Sequence, residues 1–274
     1  MTEAAVAAES VNQALARGAA TLAAAGVDAP RLDSELLLAE AMAVGRERLV
    51  LEARAGLPAE TVRRYDRLLT RRVAREPVAY ILGRREFRRL TLSVDRRALI
   101  PRPETELLVE LGLTLAPAAR VADVGTGSGA VALALKDERP DLTVVGIDVS
   151  EDALAIARKN GAQLGLDVRF VCADLLDGGD YDAVLANLPY VADGAAVAPE
   201  ISLYEPASAL FAGADGLDAI RRLVRAARSV PVLALEVGFD QADAVSQLLA
   251  DGGFGSVARM RDLAGIERVI VGRR

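Results

Sequence analysis

Histidine is absent from all 274 residues, and cysteine occurs once, as Cys172. Without imidazole there is no Ser-His-Asp or Cys-His machine, no histidine metal ligand and no base of that type near neutral pH. With a single thiol besides, zinc chemistry is not expected and no metal is anticipated. A lone cysteine excludes an intrachain disulfide and fits a reducing cytoplasm. Aromatic residues make up only 4 %, so a core drawn from the 52 % hydrophobic residues must be mostly aliphatic. No uncharged apolar run reaches the length that spans a bilayer. The opening MTEAAVAAES is acidic and has no basic region ahead of an apolar one, so no signal peptide is expected. Catalysis, if any, falls to amides, carboxylates, backbone groups or a cofactor.

Charge is present but unevenly spread. The net value is -6, yet residues 63–97 hold twelve arginines against Asp66, Glu76, Glu86 and Asp95. That segment is strongly basic and the remainder strongly acidic, which does not suit a protein that grips nucleic acid along its catalytic face. The arginine run reads as a solvated helix face, since arginine is a good helix former.

The early chain reads as helices. Asp28 is a candidate cap for a helix with Pro30 in its first turn, running through LDSELLLAEAMAV and stopping at Gly45. Pro58 starts another, in which Val62, Tyr65, Leu68, Leu69 and Val73 recur at helical spacing before Pro77. Residues 1–82 are therefore expected to form a small helical domain. Leu90, Leu92 and Val94 alternate, which predicts a β-hairpin linker over 83–103, closed by the stiff loop IPRPETE. From residue 104 to 274 the rhythm is strand, helix, strand. RVADVG, TVVGIDVS, VRFVCADL, YDAVLAN and VPVLALEVG read as strands of a mostly parallel sheet with right-handed crossovers. SVARMRD and ERVIVG lie too close together for a parallel crossover, so the final pair must be antiparallel. A dinucleotide-binding sheet has no need of that hairpin. A Rossmann-like sheet of the S-adenosylmethionine methyltransferases ends in one.

Three successive strands end in polar groups at one sheet edge, where ligands bind in open α/β sheets. After the first comes Asp123-Val-Gly125-Thr126-Gly127-Ser128-Gly129, a loop whose glycines let a ligand approach the main chain. No lysine follows, so it is not a P-loop. Asp148 ends the second strand, where a carboxylate accepts from two ribose hydroxyls, and Asp174-Leu175 ends the third beside an adenine amine and ring. The fourth strand, AVLA, ends in Asn187-Leu188-Pro189-Tyr190. The Asn187 side-chain oxygen and the Leu188 carbonyl are two acceptors matched to the two N–H bonds of a planar –NH2 group, either a carboxamide or an exocyclic base amine. Tyr190 is placed to pack on the flat face of such a target.

Beyond these features the chain resembles the release-factor glutamine methyltransferase (HemK) family almost end to end. The matching stretches are EPVAYILGRREF, LIPRPETELLVE, ADVGTGSGAVALAL, GIDVS, ANLPYV, YEPASALFAGADGLDAI and LEVGFDQ. The resemblance implies a class I methyltransferase sheet with an antiparallel final strand, preceded by a helical substrate-recognition domain. It implies S-adenosylmethionine held by Asp123, Gly125 to Gly129, Asp148, Asp174, Leu175 and Asn187. It places the glutamine of the Gly-Gly-Gln loop of class 1 peptide-chain release factors against Asn187, Leu188, Pro189 and Tyr190, with Arg102 and Glu104 from IPRPETE on the substrate side. A cytoplasmic monomer, without membrane or nucleic-acid partners, is expected. One departure stands out: the family's usual tetrapeptide is Asn-Pro-Pro-Tyr. Asn-Leu-Pro-Tyr is the form expected in rRNA adenine dimethyltransferases, so an adenine methyltransferase is the alternative, and a non-catalytic S-adenosylmethionine-binding adaptor is a third.

Overall fold

The computed structural model describes residues 9–274, so most of the acidic opening stretch lies outside the described residues. Two compact units are present. One holds the helices up to Gly83 together with Ala198–Tyr204, and the other holds Arg84–Val197 with Glu205–Arg274.

The helical unit contains α1 (Val11–Ala24), α2 (Pro30–Met42), α3 (Arg46–Leu51), α4 (Ala59–Val73) and α5 (Val78–Leu82). Ser10 starts α1 with a capping box: its hydroxyl accepts the Gln13 N–H, and the Gln13 side chain accepts the Ser10 N–H. Asp28 does not cap α2. The cap position is Ala29, which offers no side-chain acceptor, and the fixed φ of Pro30 at the first helical position starts the helix instead. That helix stops early, at Met42, with Ala43 in the left-handed region, and Gly45 becomes the cap of α3. The core is aliphatic apart from Tyr65, which packs among Leu15, Leu22, Leu37, Leu38 and Leu69.

The arginine-rich run is not simply a solvated face. Arg72 falls on the same side of α4 as Tyr65 and Leu69 and is buried with them. Its guanidinium is neutralised by two carboxylates: Nε donates to Asp33 at 2.7 Å and Nη2 to Glu200 at 2.8 Å. Arg75 Nη2 donates to the other oxygen of Glu200 at 2.7 Å. Most of the remaining arginines of α4 lie on its outer side and pair locally, as Arg63 does with Glu60.

The second unit opens with an antiparallel hairpin, β1 (Arg84–Phe87) and β2 (Leu90–Ser93), whose inward Leu90 and Leu92 are buried. A short 3-10 turn, Pro103–Thr105, leads into α6 (Glu106–Leu113). Then β3 (Arg120–Val124), α7 (Ala130–Glu138), β4 (Thr143–Asp148), α8 (Glu151–Leu164), β5 (Arg169–Cys172) and β6 (Ala183–Ala186) follow. The chain next contributes α9 (Pro199–Tyr204) to the helical unit and returns at Glu205. It continues through α10 (Asp218–Ala226), β7 (Val232–Glu236), α11 (Ala242–Asp251), β8 (Ser256–Arg261) and β9 (Glu267–Arg273).

The sheet order is β5-β4-β3-β6-β7-β9-β8, with β9 antiparallel to both neighbours. This is the Rossmann-like sheet with antiparallel final strands that the short β8–β9 connection requires. Every residue of β6 is fully buried, as a central parallel strand covered on both faces must be. One face packs Ile147, Leu223 and Leu235, and the other Leu108, Leu133 and Leu185. From β3 the chain winds outward to β4 and β5, then returns to lay β6 and β7 on the other side. The switch point therefore lies between β3 and β6, above their carboxyl ends.

Candidate active site

A cleft of about 340 Å³ opens at this switch point. Its lining takes Gly125 and Gly127 from the loop after β3, Asp148 from β4, Asp174 and Leu175 after β5, and Asn187, Leu188 and Pro189 after β6. Four strand ends thus deliver eight of the expected residues to one cavity.

The glycine loop is held from behind. Asp123 is buried beneath it, its Oδ2 accepting from the Thr126 hydroxyl at 2.6 Å and the Ala132 N–H at 3.1 Å. Burial pushes the Asp123 carboxyl up to about 6, against the pull of those two donors. Asp123, Thr126, Ser128 and Gly129 do not line the cleft; they shape the loop that does. Gly125 has φ +74°, and a Cβ there would stand 3.1 Å from the Asn187 carbonyl oxygen and 3.2 Å from Leu188 Cδ2. Only glycine gives that backbone and that close approach to the tetrapeptide together.

Asp148 projects into the cleft with one lone pair of each oxygen engaged: Oδ2 accepts the Gly127 N–H and Oδ1 the Ser150 N–H, both at 2.9 Å. Burial raises its pKa, and these N–H groups oppose the rise. A carboxylate has about four acceptor sites, so each oxygen retains one for a diol. Asp174 reaches the cleft already ion-paired with Arg222. Leu175, beside it, adopts a left-handed backbone with φ 71°, uncommon outside glycine and found where a site constrains the chain.

The tetrapeptide is built into three neighbouring segments. Asn187 Nδ2 donates to Thr105 Oγ1 at 3.0 Å. Among the described residues neither Asn187 Oδ1 nor the Leu188 carbonyl receives a hydrogen bond. The Tyr190 carbonyl accepts from Gln241 Nε2 at 2.9 Å. A Cβ on Gly216, in the DGL stretch, would lie 2.2 Å from the same carbonyl oxygen, so that glycine seats the end of the loop. The Tyr190 hydroxyl donates to Glu236 Oε1 at 3.4 Å, and Tyr190 itself stands outside the cleft lining.

Arg102 and Glu104 do not line the cleft either. Arg102 is committed to Glu205 of the YEP stretch at 2.5 Å, and the same buried carboxylate accepts the Ile100 N–H at 3.3 Å. IPRPETE and YEP are therefore two halves of one joint. Sequence reasoning missed Glu205, Thr105, Arg222 and Glu236. For Glu236 a signal was present: LEVG is one more strand ending in a carboxylate at the same sheet edge, beside Asn187 in the parallel register of β6 and β7.

Two family models match the chain. The PrmC N-terminal domain covers residues 13–83 and the methyltransferase small domain residues 103–210. A release factor glutamine methyltransferase of Pseudomonas aeruginosa is 44 % identical over 89 % of this chain and 92 % of its own length. The one from Deinococcus radiodurans is 39 % identical over 95 % of this chain and 97 % of its own. The chain belongs to the release factor glutamine methyltransferase family. A solved methyltransferase from Pyrococcus furiosus shares the fold alone, with a TM-score of 0.50, 16 % identity, and coverage of 66 % of this chain and 87 % of that one.

Proposed function

We propose that this chain transfers a methyl group from S-adenosylmethionine to the side-chain nitrogen of the glutamine in the Gly-Gly-Gln loop of class 1 release factors, in the cytoplasm. The observation that carries the reading is the pair of acceptors beside the glycine loop, Asn187 Oδ1 and the Leu188 carbonyl, which receive no hydrogen bond among the described residues.

The residues fit the cofactor. Gly125 and Gly127 leave bare backbone on the cleft floor, Asp148 retains two acceptor sites, and Leu175 and Phe211 offer apolar walls for a flat base. When bound, that group supplies an electrophilic methyl on a sulfonium. The rest is the work of the chain. A carboxamide nitrogen is a poor nucleophile because its lone pair is delocalised. Two acceptors on its two N–H bonds fix its orientation, which is an entropic contribution to rate. They also stabilise the positive charge that develops on nitrogen as the new bond forms. No strong base is needed before transfer, which suits a chain without histidine. The replacement of proline by Leu188 leaves the carbonyl in place, and the leucine side chain packs towards Gly125. The helical unit is assigned to recognition of the protein substrate.

Labelled methyl transfer from S-adenosylmethionine to a purified release factor, and separately to rRNA, tests the reading. Label in the release factor supports it. Label confined to rRNA would favour the adenine alternative that the Asn-Leu-Pro-Tyr form suggests.

A further inference from the structure

One buried face of α8 carries Ala153, Ile156, Ala157 and Asn160 at helical spacing, and it meets two parts of the cleft. Ala153 and Ile156 pack around Ala98, which with Arg97 and Leu99 forms one wall of the lining. Ala157 lies against the glycine loop: a Cβ on Gly129 would stand 3.2 Å from the Ala157 Cβ. Asn160 ends the row. It is 1 % exposed, and its amide bonds both parts at once. Oδ1 accepts the Ser93 N–H at 2.8 Å, while Nδ2 donates to the Ser93 carbonyl at 3.0 Å and to the Ser128 carbonyl at 2.9 Å. One N–H and two carbonyls fix which end of the amide faces which, since the turned-over amide would lose all three bonds. Ser93 is the last residue of β2, just ahead of the wall, and Ser128 stands between Gly127 and Gly129 in the floor. The buried Ser128 hydroxyl has no partner among the described residues, so the carbonyl is where that residue is tied down.

We infer that Asn160 is a positioning residue for the cofactor: it bonds the end of β2 and the glycine loop together and so holds the wall and the floor of the S-adenosylmethionine cleft in register. The inference rests on the cofactor assigned under the proposed function. All three bonds go to main-chain groups, so they fix the path of the chain rather than the pose of a side chain. The loop needs that restraint. Gly125, Gly127 and Gly129 all have positive φ, and glycine is the residue least able to hold one conformation by itself. A loop ordered in advance spares the ligand the entropy of ordering it. Asn160 lies outside the cleft lining, so its loss should weaken cofactor binding and leave the transfer step of the loaded enzyme alone.

Hydrogen exchange of the ligand-free full chain, followed by NMR, tests the clamp without any cofactor. In Asn160→Ala the amides of Ser93 and Gly127 should both exchange faster, while the buried strand β3 keeps its protection. Asn160→Asp keeps an acceptor for the Ser93 N–H and loses the donor to Ser128. It should free Gly127 and leave Ser93 protected, and it serves where the alanine variant does not fold. Calorimetric titration should show S-adenosylmethionine bound about tenfold more weakly by either variant, the scale of one hydrogen bond. In methyl transfer the KM for S-adenosylmethionine should rise, with kcat and the KM for the release factor unchanged. A merely structural role would instead lower kcat through the folded fraction and leave both KM values alone. Gln163→Ala, which removes only the exposed contact to the Ser93 hydroxyl, should alter neither readout. Unchanged exchange and affinity in the Asn160 variants, or faster exchange across the whole sheet with an unchanged KM, would overturn the inference. Loosening of Ser93 and Gly127 together, in a protein whose wild type does not bind S-adenosylmethionine, would remove the cofactor reading and uphold the clamp.

Discussion

Asp148 and Asn187 are the residues on which the proposed site rests most directly. Asp148 is anchored by two backbone donors and keeps an acceptor position on each oxygen. Asp148→Ala should weaken S-adenosylmethionine binding by roughly 1.5–3 kcal/mol, the range for hydrogen bonds to a charged group. Calorimetric titration of the folded mutant decides it, and an unchanged affinity would remove Asp148 from the site. At the tetrapeptide, Asn187→Ala should lower turnover on the order of 10²–10³, the size of one preorganised polar contact. Leu188→Pro should retain most activity, because either residue sits extended before Pro189 and only the carbonyl is asked to act. Equal losses in the two mutants would show that the leucine side chain, which packs towards Gly125, is itself required. The placement of both residues was legible in the sequence because both end strands at one sheet edge. Asp123 was not: a carboxylate that shapes a loop from beneath and one that meets a ligand look alike in one dimension. Only burial and the Thr126 and Ala132 donors separate them.

At the scale of elements, the central sheet was readable because parallel strands buried on both faces are short apolar runs and the final connection is too short to cross over. The joints between motifs were not. Arg102 looked like a substrate ligand, yet a partner 103 residues away, Glu205, claims it. The same holds for α9, which belongs to the helical unit although its sequence lies between two methyltransferase motifs. No local pattern announces a pairing of that range. The Asp33–Arg72–Glu200 cluster, with Arg75 on the same carboxylate and the Tyr204 hydroxyl donating to the Ala74 carbonyl, seats α9 in that unit. Arg72→Ala would leave the buried Asp33 without its cation and Glu200 with Arg75 alone, and should destabilise the helical unit by about 3–5 kcal/mol. Thermal unfolding followed by circular dichroism would reveal it, and a change within experimental scatter would mean that water already screens the cluster.

Across the whole molecule, two buried carboxylates couple stability to pH. Glu236 is raised to about 7 and Asp123 to about 6, each by burial. A carboxyl raised in the folded state adds stability that is complete below its unfolded pKa, near 4, and is lost as pH climbs through the folded value. These two groups therefore pull the melting temperature down between about pH 4 and pH 7, and Glu236→Gln should flatten the upper part of their contribution. The central claim is that the cleft at the switch point is shaped for a glutamine amide. Mass spectrometry of a release factor and of rRNA, each incubated with the protein and S-adenosylmethionine, tests it most directly. The account predicts one methyl on the loop glutamine, none when that glutamine is alanine, and unmodified adenine; a methylated adenine beside an unmodified release factor would contradict it.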